Sequence, residues 1–289
     1  MAIPHDTGRC PSGEMSIFYR RLGRRGATPV LLVHGLSYFS YDWLEVAQAL
    51  STDREVVAMD MRGFGDSDWS AQKDYSVPAM ANDIVNLLDH LGWKRAALSG
   101  HSMGGRSTTY AAAKYPERVA GLVLVDYTPE NAPAGSQRVA RTVAGVPDRF
   151  ATIEDAMRYF GADPHSPAGK RERFEAYLRP VEGGFIVKRD THFRDQFRKL
   201  LESGERPKLG VDMWQLMGEV HCPILSMRGA RSDMYAPETV QKMKAANPRL
   251  EAVEIDAGHN IGGENPRGFL ATIRTFLTSL ETKSHEQAA

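Results

Sequence analysis

Arg95-Ala96-Ala97-Leu98-Ser99-Gly100-His101-Ser102-Met103-Gly104 decides the fold. An apolar run ends at Ser99, and a helix rich in Ala, Met103 to Tyr115, begins just after Ser102. Between them, Gly100-His101-Ser102-Met103-Gly104 fits the pattern Gly-x-Ser-x-Gly. A strand that turns at once into a helix forces the serine between them into a strained backbone conformation. The hydroxyl then stands at the head of the helix, where the dipole favours developing negative charge. Glycines at 100 and 104 remove side chains that would collide as strand and helix pack. The pentapeptide alone is a modest signal, and its place between strand and helix sharpens it. Ser102 is the candidate nucleophile; the competing reading is a serine that merely caps a helix.

Upstream, Pro29 to His34 and Glu55 to Asp60 read as buried strands. Tyr41 to Leu50 has helical spacing, and Val77 to Leu91 is amphipathic, with Met80, Ile84, Leu87, Leu88 and Leu91 on one face. Downstream, Val119 to Val125 is a further strand. These runs are apolar throughout rather than alternating, as in a parallel sheet covered on both faces. Strand and helix in turn predict an α/β, doubly wound, mostly parallel β-sheet.

The pattern breaks after Asp126. Over 127–207 the Pro, Gly and charge content rises, with short helical stretches at Ile153 to Phe160 and Arg171 to Leu178. Gly183-Gly184 fits a hairpin turn. This segment is expected as a helical cap inserted after the sixth sheet strand. The core, 1–126, resumes over 208–281: a helix Met213 to Val220, a strand Pro223 to Met227 ending at Gly229, a helix Glu238 to Ala246, a strand Leu250 to Ile255 and a closing helix Pro266 to Leu280. Residues 282–289 are polar and read as a flexible tail.

Four motifs in this order carry a resemblance: His34-Gly35, Asp60-Met61-Arg62-Gly63-Phe64-Gly65-Asp66-Ser67, the turn at Ser102, and Ala257-Gly258-His259. From about Ser16 to Leu280 the chain resembles the α/β-hydrolase fold family. The resemblance implies a serine hydrolase in which His259 is the general base, since the Gly-flanked loop after the last strand carries the histidine. It also implies an oxyanion hole from the N–H of Met103 and of Leu36, with Ser37 as the other register. The acid has two candidates. Asp126 ends Val123-Leu124-Val125-Asp126. Asp233 lies in Gly229-Ala230-Arg231-Ser232-Asp233, one residue later than family members with the late acid place it. Ala111 to Pro116 and Asp126-Tyr127-Thr128-Pro129 look like the subgroup with 2-(acetamidomethylene)succinate hydrolase and some short-acyl esterases, which uses the earlier aspartate. Asp126 is therefore favoured, with Asp233 as the alternative.

Asp60 is expected to cap its turn and Arg62 to brace it. His34 and His101 read as scaffold residues. Tyr38, Phe39, Trp43, Tyr127, Trp214, Met217 and Tyr235 are expected to line the substrate pocket, although core packing suits each about as well. Arg138, Arg141 and Arg149 begin the cap and suit either a substrate carboxylate or a solvated face.

The bulk properties narrow the function. Lys+Arg and Asp+Glu are both 36, so no basic excess points to nucleic acid or an anionic membrane. A homo-oligomer is compatible with this neutrality, and the expected partner is a small-molecule substrate. Cys10 and Cys222 are far apart with no CxxC, which argues against a disulfide framework or a metal site and for a reducing compartment. No metal or organic cofactor is expected. Met1 to Pro11 lacks the apolar stretch of a secretory signal, and no run of about 18 apolar residues occurs, so the expected location is cytoplasmic and no membrane contact is expected. The predicted reaction is hydrolysis of an ester, amide or related acyl bond through an acyl-serine. A C–C bond hydrolase of ring-cleavage products and a hydrolase-derived ligand sensor are the alternatives.

Overall fold

The computed structural model describes residues 3–165, 169–205 and 209–288. Its strands are β1 (Asp6–Ser12), β2 (Met15–Leu22), β3 (Ala27–Val33), β4 (Arg54–Met59), β5 (Ala96–His101), β6 (Val119–Val125), β7 (Leu178–Val181), β8 (Gly184–Val187), β9 (Ile224–Gly229) and β10 (Leu250–Ile255). Eight of them form one sheet in the order β1-β2-β4-β3-β5-β6-β9-β10. From β4 to β10 every neighbouring pair is parallel; β1 and β2 add an antiparallel edge. The α/β, mostly parallel architecture is thus as the sequence predicts.

The apolar runs are explained by burial on both faces. In β3, Leu31 and Val33 join the cluster on one side of the sheet, and Val30 and Leu32 the cluster on the other. All four are fully buried, each worth roughly 1.5–3 kcal/mol relative to exposure. The first cluster takes side chains of helices α2 (Val77–His90), α3 (Met103–Lys114) and α8 (Met213–Gly218), and Met243 of α9 (Thr239–Ala246). The second takes α1 (Leu44–Leu50), Ile261 of α10 (Ile261–Glu264) and α11 (Pro266–Ala288).

Between β6 and α8 lies the cap, with helices α4 (Pro133–Ala144), α5 (Ile153–Tyr159), α6 (Gly169–Tyr177) and α7 (Thr191–Ser203) and the hairpin β7–β8. Gly183 and Gly184 turn that hairpin with φ of 76° and 145°, values that favour glycine. The cap has a small core of its own, with Phe150, Met157, Phe174, Tyr177 and Leu178 around Phe39. The insertion point after the sixth sheet strand agrees with the reading from sequence, whereas the expected boundary at 207/208 lies outside the described residues.

Three features differ from expectation. β1 buries little beyond Cys10 and Ser12, so it carries no alternating apolar signal. Helices α4 and α7 were not anticipated. The buried residues of α4 are small, Gly135, Ala140, Val143 and Ala144. The closing helix continues in backbone to Ala288 instead of ending near residue 281, so 282–288 extend it; Ala289 lies outside the described residues.

Among the described residues no helix is long and apolar enough to cross a membrane. No group of three or more His, Cys, Asp or Glu side chains among them is arranged to hold a metal ion. Cys10 and Cys222 are buried and free. Burial pushes their thiols up to about 11 and about 12.

Candidate active site

β5 ends at His101 and α3 begins at Met103, so Ser102 alone makes the turn. Its φ of 50° and ψ of −116° are strained for a residue with a side chain. The surroundings impose that conformation. The Ser102 N–H donates to the Val125 carbonyl at 3.0 Å, and Gly105 N–H donates to the Ser102 carbonyl at 2.9 Å. A Cβ on Gly104 would sit 2.6 Å from the His34 carbonyl oxygen and 2.7 Å from that of Val33. α3 therefore packs against the end of β3 only because that side chain is missing.

His259 reaches this turn from the loop after β10. Its Nε2 lies 3.0 Å from Ser102 Oγ, and its Nδ1 lies 2.6 Å from Asp126 Oδ2. A carboxylate only accepts, so Nδ1 carries the proton and Nε2 faces the serine hydroxyl as an acceptor. His101 holds the loop from below: its Nε2–H donates to the His259 carbonyl at 3.0 Å. Burial, and next the proximity of His259, hold the His101 pKa well below the usual histidine value.

Asp126 follows β6 directly with φ of 44°, a second strained non-glycine residue. Its carboxylate accepts from the Gly229 N–H at 2.8 Å, from the Ser232 hydroxyl and from His259. Asp233 is placed elsewhere. Arg138 grips it bidentately at 2.6 and 2.7 Å, and this hydrogen bonding lowers its pKa. The position three residues after Gly229 carries Ser232, whose hydroxyl goes to Asp126. The two candidate acid positions thus meet at one carboxylate, and Asp126, not Asp233, is within hydrogen-bond reach of His259.

Leu36 and Met103 face the same space. Met103 is the first residue of α3, where an N–H has no intrahelical partner. The Gly35–Leu36 peptide is fixed from its other end. His34 Nδ1–H donates to the Gly35 carbonyl at 2.7 Å while His34 Nε2 accepts from Met61 N–H at 2.9 Å. Burial lowers the His34 pKa. The cap holds this loop too: Arg189 Nη1 donates to the Leu36 carbonyl at 3.2 Å, and Arg173 Nη2 to the Ser37 carbonyl at 3.3 Å. Neither arginine is legible in the sequence as a site residue, because no local pattern announces a contact across 136 or more residues of chain.

Ser102 and His259 open into a cavity of about 1360 Å³ between cap and sheet, lined also by Leu36, Met103 and Arg106. Of the predicted pocket residues, Tyr38, Tyr127 and Trp214 line it. Phe39, Trp43, Met217 and Tyr235 do not, and those assignments are corrected. Phe39 packs on Tyr41 and Tyr177 in the core of the cap. Trp43 packs on Phe269 beneath the sheet. Met217 is fully buried, and the Tyr235 hydroxyl bonds Ser226 at 3.1 Å. Each is an aromatic residue or Met expected near a strand end or the return of the cap, but its side chain is packed in the core. On the cavity side stand Phe197, Leu200 and Leu201 of α7, whose spacing with Phe193 is a helical signal the sequence reading passed over. Asp60 accepts from the N–H groups of Ser40 and Asp66, and Arg62 pairs with Asp83, so both serve the turn beside the site.

Comparison with known proteins agrees with the fold. The family model described as alpha/beta hydrolase fold matches residues 28–266. The 3-hydroxybutyrate-oligomer hydrolase of Cupriavidus necator is 33% identical over 268 residues, covering 86% of this chain and 88% of that protein. The 2-(acetamidomethylene)succinate hydrolase of Mesorhizobium japonicum is 29% identical over 257 residues, covering 88% of this chain and 89% of that one. A crystal structure of E-2-(acetamidomethylene)succinate hydrolase superimposes with a TM-score of 0.82 at 27% identity, covering 95% of this chain and all of that one. The model match and these relatives establish that the chain belongs to the α/β-hydrolase fold family.

Proposed function

We propose that the protein hydrolyses an ester, amide or comparable acyl bond of a small molecule through an acyl-Ser102 intermediate. Ser102 Oγ attacks the acyl carbonyl while His259 Nε2 takes its proton. His259 returns that proton to the leaving group, and the C–O or C–N bond breaks. Water then adds to the acyl-enzyme, giving a proton to His259, and the bond from the acyl carbon to Ser102 Oγ breaks as His259 returns that proton to Oγ and the acid is released. Asp126 holds the imidazole in the required tautomer and stabilises its protonated form. The N–H groups of Leu36 and Met103 hold the oxyanion.

The observation that carries this reading is the pair of contacts about one strained serine, 3.0 Å to His259 and 2.6 Å from His259 to Asp126. Relatives named for 3-hydroxybutyrate oligomers and for 2-(acetamidomethylene)succinate support a short acyl substrate. The free, buried thiols fit a reducing compartment, and a cytoplasmic location belongs to the same reading.

A panel of short acyl esters, amides and vinylogous diketones tests it. Wild-type protein is expected to cleave members of the first two classes, and Ser102→Ala to lower kcat by several orders of magnitude with melting behaviour retained. Turnover of diketones alone, or ester cleavage that survives Ser102→Ala, would sink the proposal.

A further inference from the structure

Four of the six Lys, Arg, Asp and Glu side chains lining the cavity are paired within the protein. Lys73 meets Asp190 at 2.9 Å, Arg138 meets Asp233 at 2.6 Å, Glu130 meets Lys242 at 3.5 Å, and Asp74 lies 4.0 Å from Arg62. Among the described residues two cations in the lining have no hydrogen-bond or ion-pair partner, Arg106 and Arg141. Arg141 is exposed on α4, where water serves it. Arg106 is half-buried on α3, and burial lowers its pKa. It nevertheless stays charged, as a guanidinium does.

Its place on the helix is informative. Arg106 follows Ser102 by four residues, so the two share a face, about 6 Å apart along the axis. A desolvated guanidinium without a partner is costly, and the cost is relieved when an anion arrives. The guanidinium is a planar fork that accepts a carboxylate bidentately. A single unpaired fork matches one carboxylate, whereas a phosphate dianion would call for further donors. We propose that Arg106 binds a carboxylate of the substrate, so that the site prefers short acyl compounds with an anionic group a few bonds from the scissile carbonyl. This rests on the reading of Ser102 as the nucleophile, and it names the substrate class that nucleophile meets.

The linear dimer of 3-hydroxybutyrate and the same dimer capped as a terminal primary amide share one scissile ester and differ in charge. Wild-type protein is expected to cleave the acid with kcat/KM at least about tenfold above the amide. In Arg106→Gln the ratio should fall toward one, chiefly through a higher KM for the acid, while Arg106→Lys should keep an intermediate ratio. Each preparation is also labelled with a fluorophosphonate probe, which reports a folded, reactive Ser102. A labelled wild-type enzyme that cleaves the acid no faster than the amide, or cleaves neither, overturns the Arg106 proposal alone. So does a labelled Arg106→Gln variant with its preference intact. Failure of wild-type protein to label instead removes the nucleophile on which the proposal stands.

Discussion

Asp126 is held by three donors from two segments, the Gly229 N–H and the Ser232 hydroxyl at the end of β9 and His259 Nδ1–H after β10. Replacing the carboxylate with an amide of the same shape leaves the geometry but lets the imidazole take the wrong tautomer. Asp126→Asn is therefore expected to lower kcat by about 10⁴, the loss seen when a serine-protease triad aspartate is changed in the same way. Asp233→Asn should lower it by less than about tenfold, since Asp233 faces Arg138. Steady-state kinetics on one ester separates the two, and a larger loss at Asp233 would reverse the assignment. Ser102 and His259 were legible in the sequence because each sits beside glycines in a motif that fixes the backbone around it. Asp126 was legible only as one of two. The choice depended on where the Ser232 hydroxyl lands, and chain order does not encode that. The pocket was half legible: aromatic type and nearness to a strand end picked out Tyr38, Tyr127 and Trp214, but side-chain direction excluded Phe39, Trp43, Met217 and Tyr235.

At the scale of elements, the approach of α3 to the end of β3 is a tight constraint on the site. A Cβ at Gly104 would meet two backbone carbonyls at 2.6 and 2.7 Å, and backbone cannot step aside as a side-chain tip can. Gly104→Ala is expected to cost about 1–3 kcal/mol, seen as a lower thermal midpoint together with lost activity; an unchanged midpoint would mean the contact relaxes freely. The cap makes a second tie. Arg189, itself buried, donates to the Leu36 carbonyl, and Arg173 to that of Ser37. Arg189→Met should lower kcat about tenfold or more by misplacing the oxyanion loop, while KM for a small neutral ester changes less. An unaltered kcat would show that the loop is positioned without Arg189. The alternating strands and helices of the core could be read from sequence because two-sided burial writes continuous apolar runs. The edge hairpin β1–β2 and helix α4 could not, because β1 is mostly solvated and the buried face of α4 is built from small residues.

For the whole molecule, two buried histidines link stability to pH. Burial keeps His34 neutral, and burial with the nearby His259 keeps His101 neutral. Both pKa values are lower in the folded protein than in the unfolded chain, where histidine titrates near 6.5. Below that pH the unfolded chain binds more protons, so stability is full above about 6.5 and is lost as pH falls from there through the folded values. The thermal midpoint should fall by several degrees from pH 7.5 to 5.5, and His101→Gln should shallow that slope; an equal slope in the variant would remove His101 from the account.

The central claim is that Ser102 is activated where core and cap meet. Mapping the adduct of a fluorophosphonate probe tests it most directly, because trypsin releases Ala96 to Arg106 as one peptide whose fragmentation separates Ser99 from Ser102. One adduct per chain is expected, on Ser102, with labelling greatly slowed in His259→Ala. An adduct on Ser99 or any other residue, or labelling that proceeds equally fast without His259, would contradict it.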